Sequence, residues 1–157
     1  MRKIKFMLLA IMLMGAASSV KAQEVFNIVL HKAENVVNNP HANEFDLKVN
    51  QYKVTALRYI ATTGIKINGK VQEEFLNMQA YALNVFLQKY MTAITKTPKE
   101  SRKNIVMQFV QATRNHPLYK DNNKEATESF VKDPGGFTPF SLNVDWEKAL
   151  EEIEKAK

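Results

Sequence analysis

Val71-Gln72-Glu73-Glu74-Phe75-Leu76-Asn77-Met78-Gln79-Ala80-Tyr81-Ala82-Leu83-Asn84-Val85-Phe86-Leu87-Gln88-Lys89-Tyr90-Met91-Thr92-Ala93-Ile94 is the stretch on which the fold turns. Val71, Phe75, Met78, Ala82 and Val85 recur at the three- and four-residue steps of one helix face, and Leu76, Leu83, Phe86, Leu87 and Tyr90 make a second stripe. No Pro or Gly interrupts the run. A helix apolar over so much of its circumference needs neighbours on several sides, so the spacing predicts a long helix at the centre of a helical pack.

Working outward, the flanking segments read the same way. Val25, Val29, Ala33 and Val36 form a stripe that Phe26, Leu30 and Val37 widen, and Asn38-Asn39-Pro40 ends it. A second helix is predicted from about Asn43 to Thr62, with Phe45, Val49, Tyr52, Ala56 and Ile60 on its inner face. Its opening, Phe45 to Val49, also alternates like a strand, and only the longer window decides for helix. Gly64 supplies a C-terminal cap signal. Downstream, Thr97-Pro98-Lys99-Glu100 is a helix-opening pattern, with Thr97 as N-cap, Pro98 in the first turn and Glu100 completing a capping box. Ile105, Val106, Phe109, Val110 and Ala112 form the buried face that follows, up to Asn115-His116-Pro117. A short helix is expected within residues 122–131 and a loop from Asp133 to Phe140, which holds two Pro and two Gly. Asp145 or Asn143 caps a last helix with Trp146, Leu150 and Ile153 inward. The expected architecture is all-α: an irregular bundle of four main helices plus short C-terminal helices, in one domain.

The first 22 residues belong to a different kind of segment. Arg2, Lys3 and Lys5 precede an uncharged apolar run from Phe6 to Met14, and Val20-Lys21-Ala22 is a small-x-small cleavage site ahead of Gln23. The run is too short to span a bilayer. Residues 1–22 are therefore expected to be a signal peptide cleaved after Ala22, leaving 23–157 as a single helical domain, periplasmic or secreted and without membrane insertion. The chain has no cysteine, so it is neither disulfide-bonded nor a lipoprotein acylated on Cys, and thiolate chemistry is excluded.

Export changes the charge argument. The full chain holds 22 Lys and Arg against 16 Asp and Glu, but four of the cations lie in the leader, leaving 18 against 16. A net charge of +2 gives no footprint for nucleic acid, and none is expected as a partner.

Few motifs carry chemistry. Gly64 to Val71 fits a phosphate loop up to its last position, where Val71 stands in place of the Ser or Thr that would hold magnesium, so a turn at Asn68-Gly69 is the better reading. His31 and Glu34 share a helix face, yet the pair occurs once and in the reverse order of the di-metal bundle motif. His41 and His116 sit beside prolines, and Glu73-Glu74 and Glu151-Glu152-Glu154 fall on predicted outer faces. Ser101, Ser129 and Ser141 lie outside any nucleophile-elbow pattern. No catalytic residue, metal ligand or cofactor is assigned. The candidate ligand- or partner-binding residues are Phe137, Phe140 and Trp146. Exposed, they would form a binding edge for a peptide, glycan or protein; buried, the two Phe would plug the bundle end and fix the last helix, which the large apolar area of the rings favours.

The segment Asn43-Glu44-Phe45-Asp46-Leu47-Lys48-Val49-Asn50-Gln51-Tyr52-Lys53-Val54-Thr55-Ala56-Leu57, with Gln23 directly after the cleavage site and a surface rich in Asn and Lys, resembles small exported helical proteins of Bacteroidetes-type bacteria. That resemblance implies export from a Gram-negative cell. Those proteins have no assigned activity, so it implies no site residue. Three readings follow: an exported, non-enzymatic module binding a protein or small ligand; a small envelope hydrolase whose carboxylate and His groups meet only in the fold; and a self-associating protein, marked by an uncovered stripe on the Val71 to Ile94 helix.

Overall fold

In the computed structural model, which describes residues 24–63, 66–114, 137 and 140–156, the secondary structure is helical apart from one two-stranded ribbon. The helices are α1 (Glu24–Val37), α2 (Glu44–Thr63), α3 (Glu73–Lys96), α4 (Arg102–Arg114) and α5 (Trp146–Lys155). The all-α expectation holds, and α3 has the central place: it touches each of the other four helices. The leader, Gly64, His116, Ser129, the expected helix at 122–131 and most of the 133–140 loop lie outside the described residues.

The apolar spacing of each helix maps onto what it buries. Val29 and Ala33 of α1 face inward, as do Val49, Tyr52, Ala56 and Ile60 of α2. The strand-like opening of α2 is helical because Asn43 caps it. Its Oδ1 accepts from the Asp46 N–H at 2.9 Å, and its Nδ2 donates to the Asp46 carboxylate. On α3 the second stripe is buried from Leu83 onward, with Leu83, Phe86, Leu87 and Tyr90 at zero exposure, while Leu76 is half-buried. The first stripe is covered less completely: Ala82 is buried, whereas Val71, Phe75, Met78 and Val85 are half-buried. The helix pair α1 and α2 packs on one side of α3, and α4 and α5, which also touch each other, pack against it as well.

Between α2 and α3, β1 (Lys66–Ile67) and β2 (Lys70–Val71) form an antiparallel ribbon. Asn68 and Gly69 make its turn with φ of 51° and 79°. Positive φ at both central positions is the hairpin geometry that matches strand twist, and Asn-Gly is the pair that adopts it most readily. The phosphate-loop resemblance is thus absorbed by a hairpin turn.

The capping box at Thr97 does not form. Thr97 is instead the C-cap of α3, and its Oγ1 donates back to the Ala93 carbonyl at 2.7 Å. The residue before a proline is held in extended backbone, here φ −98° and ψ 129°, which closes α3 and leaves its hydroxyl pointing at the wrong helix. A 3₁₀ turn (Lys99–Ser101) bridges to α4, which begins at Arg102. At the other end of the chain, Asp145 is the N-cap of α5 and accepts from the Lys148 N–H.

Candidate functional site

The three residues singled out for binding are all in the core. Phe137 is 7% exposed, Phe140 2% and Trp146 fully buried. Phe137 packs on Tyr52 at 5.7 Å, Phe140 on Tyr90 at 5.3 Å and Trp146 on Phe86 at 5.4 Å between ring centroids. Most of these contacts are edge-to-face, the arrangement that sets positive ring edges against negative faces. The two Phe therefore pack into the same ring cluster, around Tyr52, Phe86 and Tyr90, that receives Trp146 of α5. Tyr52 adds to this by donating its hydroxyl to the Ser141 carbonyl at 2.9 Å.

What anchors α5 is a residue the sequence reading passed over. Gln79 on α3 is 2% exposed. Its Oε1 accepts from the Trp146 N–H at 2.7 Å, and its Nε2 donates to Asp145 Oδ1 at 2.9 Å. One amide thus satisfies an orphan donor at the helix start and holds the capping carboxylate. The sequence signal was a polar residue three before Ala82 and four before Leu83, on the buried side of α3.

The acid–base candidates do not converge. His31 is exposed, with its Nδ1 3.2 Å from Asn35 Nδ2, and Glu34 pairs with Arg58 at 3.0 Å across α1 and α2. His41 is exposed in the turn before α2, where its N–H donates to Asn39 Oδ1. Glu73 and Glu74 are exposed in the first turn of α3, and Ser101 is exposed in the 3₁₀ turn. Ser141 is buried and accepts from the Asn143 N–H. Among the described residues no three His, Asp or Glu side chains gather to hold a metal ion.

Among the described residues, Lys53 is a cation held in the core. It is 9% exposed between α2 and α3, and its Nζ donates to Asn84 Oδ1 at 2.9 Å. Burial pushes its pKa down to about 8. The spacing carried this signal too, since Lys53 lies four residues after Val49 and four before Leu57, both core residues.

The described residues of three helices also form a concave surface. A groove of about 610 Å³ runs between the C-terminal half of α3, the middle of α4 and the end of α5. Val85, Ile105, Phe109 and Ile153 supply its apolar floor, and Gln88, Thr92 and Gln108 its polar lining. Lys89 stands on its edge and pairs with Glu154 of α5 at 3.5 Å. Tyr81, one turn before Val85, has its pKa raised by burial and by the negative charge of Glu154. None of His31, Glu34, His41, Glu73 or Glu74 lines this groove.

No protein-family model, curated protein or solved structure matches the chain. Among the described residues no helix is long and apolar enough to cross a membrane.

Proposed function

We propose that this chain is an exported, non-enzymatic binding module whose partner is a protein that lies in the groove between α3, α4 and α5. The observation that carries the reading is the groove itself, where half-buried Val85 and Ile105 lie over buried Phe109 and Ile153 at a junction of three helices. Such a surface suits a partner that brings its own apolar face. Small-molecule sites enclose most of their ligand, and this one does not. The scatter of His31, Glu34, His41, Glu73 and Glu74 supports binding over hydrolysis, because a paired carboxylate/His site would need such groups to face one cleft. Export rests on the leader at residues 1–22.

Native mass spectrometry of the protein purified from the cell envelope and the medium tests both parts. The expected result is a chain beginning at Gln23 that carries additional mass, as a heterocomplex or a multiple of itself. Val85→Glu and Ile105→Glu place a charge on half-buried floor positions and should release that mass while leaving the helical circular dichroism intact. A chain that retains Met1 overturns export. A bare monomer before substitution, or added mass that survives both variants, overturns the groove as the binding site.

A further inference from the structure

Asn77 of α3 reaches the beginning of α1. It is 5% exposed, and its Oδ1 accepts from the Phe26 N–H at 2.9 Å across 51 residues of chain. Phe26 lies in the first turn of α1, among the backbone donors for which a helix has no partner of its own. An uninterrupted helix would give that N–H the carbonyl of Ala22, the residue after which the leader is expected to be cut. Asn77 thus supplies from α3 the acceptor that a chain beginning at Gln23 lacks.

The other half of the amide is unused. Asn77 Nδ2 is buried and has no hydrogen-bond partner. An amide is planar, so this nitrogen belongs to the same rigid group as the oxygen that holds the first turn of α1. Buried donors without a partner are costly, and native folds rarely keep one. What is missing beside the start of α1 is therefore an acceptor. The α-ammonium that cleavage would create cannot serve, because it is itself a donor.

We propose that the exported chain is modified at its first residue: Gln23 cyclises to pyroglutamate, and Asn77 Nδ2 donates to the lactam carbonyl. The step needs no co-reactant. The neutral α-amine of Gln23 attacks its own side-chain Cδ. A bond from the α-nitrogen to Cδ forms and the Cδ–Nε2 bond breaks, while one amine proton passes to the departing nitrogen, which leaves as ammonia. The product is an uncharged ring whose carbonyl is an acceptor, placed directly before Glu24, the first residue of α1. An open Gln23 also has a side-chain carbonyl, but it brings it on a rotating stem; closing the ring fixes the acceptor before it binds. The proposal rests on removal of the leader after Ala22 and is independent of the groove.

The intact mass of the chain purified from the envelope and the medium is the first test. The expected mass is that of residues 23–157 less one ammonia. The part played by Asn77 is read by preparing the same chain with Gln23 open, closing the ring with a glutaminyl cyclase, and comparing the urea midpoints of the two forms. Ring closure should raise the folding equilibrium constant about fivefold. Asn77→Asp keeps an oxygen for the Phe26 N–H and puts a second oxygen where the donor was. In that variant ring closure should bring no gain or a loss, since a carboxylate favours the ammonium of the open form. Comparing two forms of one chain cancels whatever the substitution does to the fold itself. A natural chain that begins at Gln23 and keeps its ammonia, ring closure without effect on the parent, or an equal gain in Asn77→Asp would each overturn the proposal. A chain that retains Met1 would sink export as well, whereas the mass of an open Gln23 would leave export standing.

Discussion

Lys53 puts an ammonium where the fold offers one amide oxygen and little water, and the consequence for stability has a definite sign. At pH 7 the folded and unfolded chains both hold the proton, and the folded form bears the cost of burying it. Between about pH 8, where the folded chain releases the proton, and 10.5, where the unfolded chain does, the unfolded state binds more protons, so stability rises with pH. The whole gain is about 3 kcal/mol as an upper figure. Lys53→Met keeps the stem and removes the charge. It should be more stable than the parent at pH 7, and the advantage should shrink as pH is raised toward 10. Urea titrations of both proteins at pH 7, 8 and 9.5 check this; a gap that stays constant would show that Lys53 is solvated in the folded chain.

At the scale of elements, the tie between α3 and α5 is the one most exposed to a single change. Gln79→Leu removes an acceptor from the Trp146 N–H and a donor from the Asp145 carboxylate, both at the start of a ten-residue helix. A buried N–H without a partner costs about 1–3 kcal/mol, so a loss of about 2–3 kcal/mol is expected, read from the urea midpoint. Near-ultraviolet dichroism of Trp146 should weaken as well, and an unchanged spectrum would mean that the ring cluster alone seats the helix. Here the limits of sequence reading are physical. Stripes such as Val49, Tyr52, Ala56 and Ile60 were legible because burial follows helical period, and Asn68-Gly69 because its turn has one favoured backbone. Thr97 misled because its hydroxyl had two carbonyl and amide choices at a helix junction and took the earlier one. Gln79 and Lys53 were polar residues at core-facing positions, where pattern alone names the position and says nothing of the partner. Of the groove only the α3 side was legible, as the stripe that holds Val85; its shape depends on how far apart α4 and α5 sit on α3.

For the molecule as a whole, packing has to supply what a cysteine-free chain cannot obtain from crosslinks. The centre of that packing is a continuous set of rings drawn from distant parts of the chain: Tyr52 from α2, Phe86 and Tyr90 from α3, Phe109 from α4, then Phe137, Phe140 and Trp146. Ending the chain after Val144 should therefore leave α1 to α3 helical while abolishing a cooperative thermal transition, with dye binding to the uncovered rings. A sharp transition in that shortened chain would show that α5 is an appendage. The contacts that seat α5 also span long separations, 66 and 67 residues for Gln79 and 89 for Tyr52 with Ser141. A ribosome delivers the chain from the other end, so Phe86 and Tyr90 leave the exit tunnel well before the residues that cover them. A chain that began to pack before Phe140 and Trp146 arrived would present bare rings at Phe86 and Tyr90, an apolar surface of the kind that holding chaperones bind.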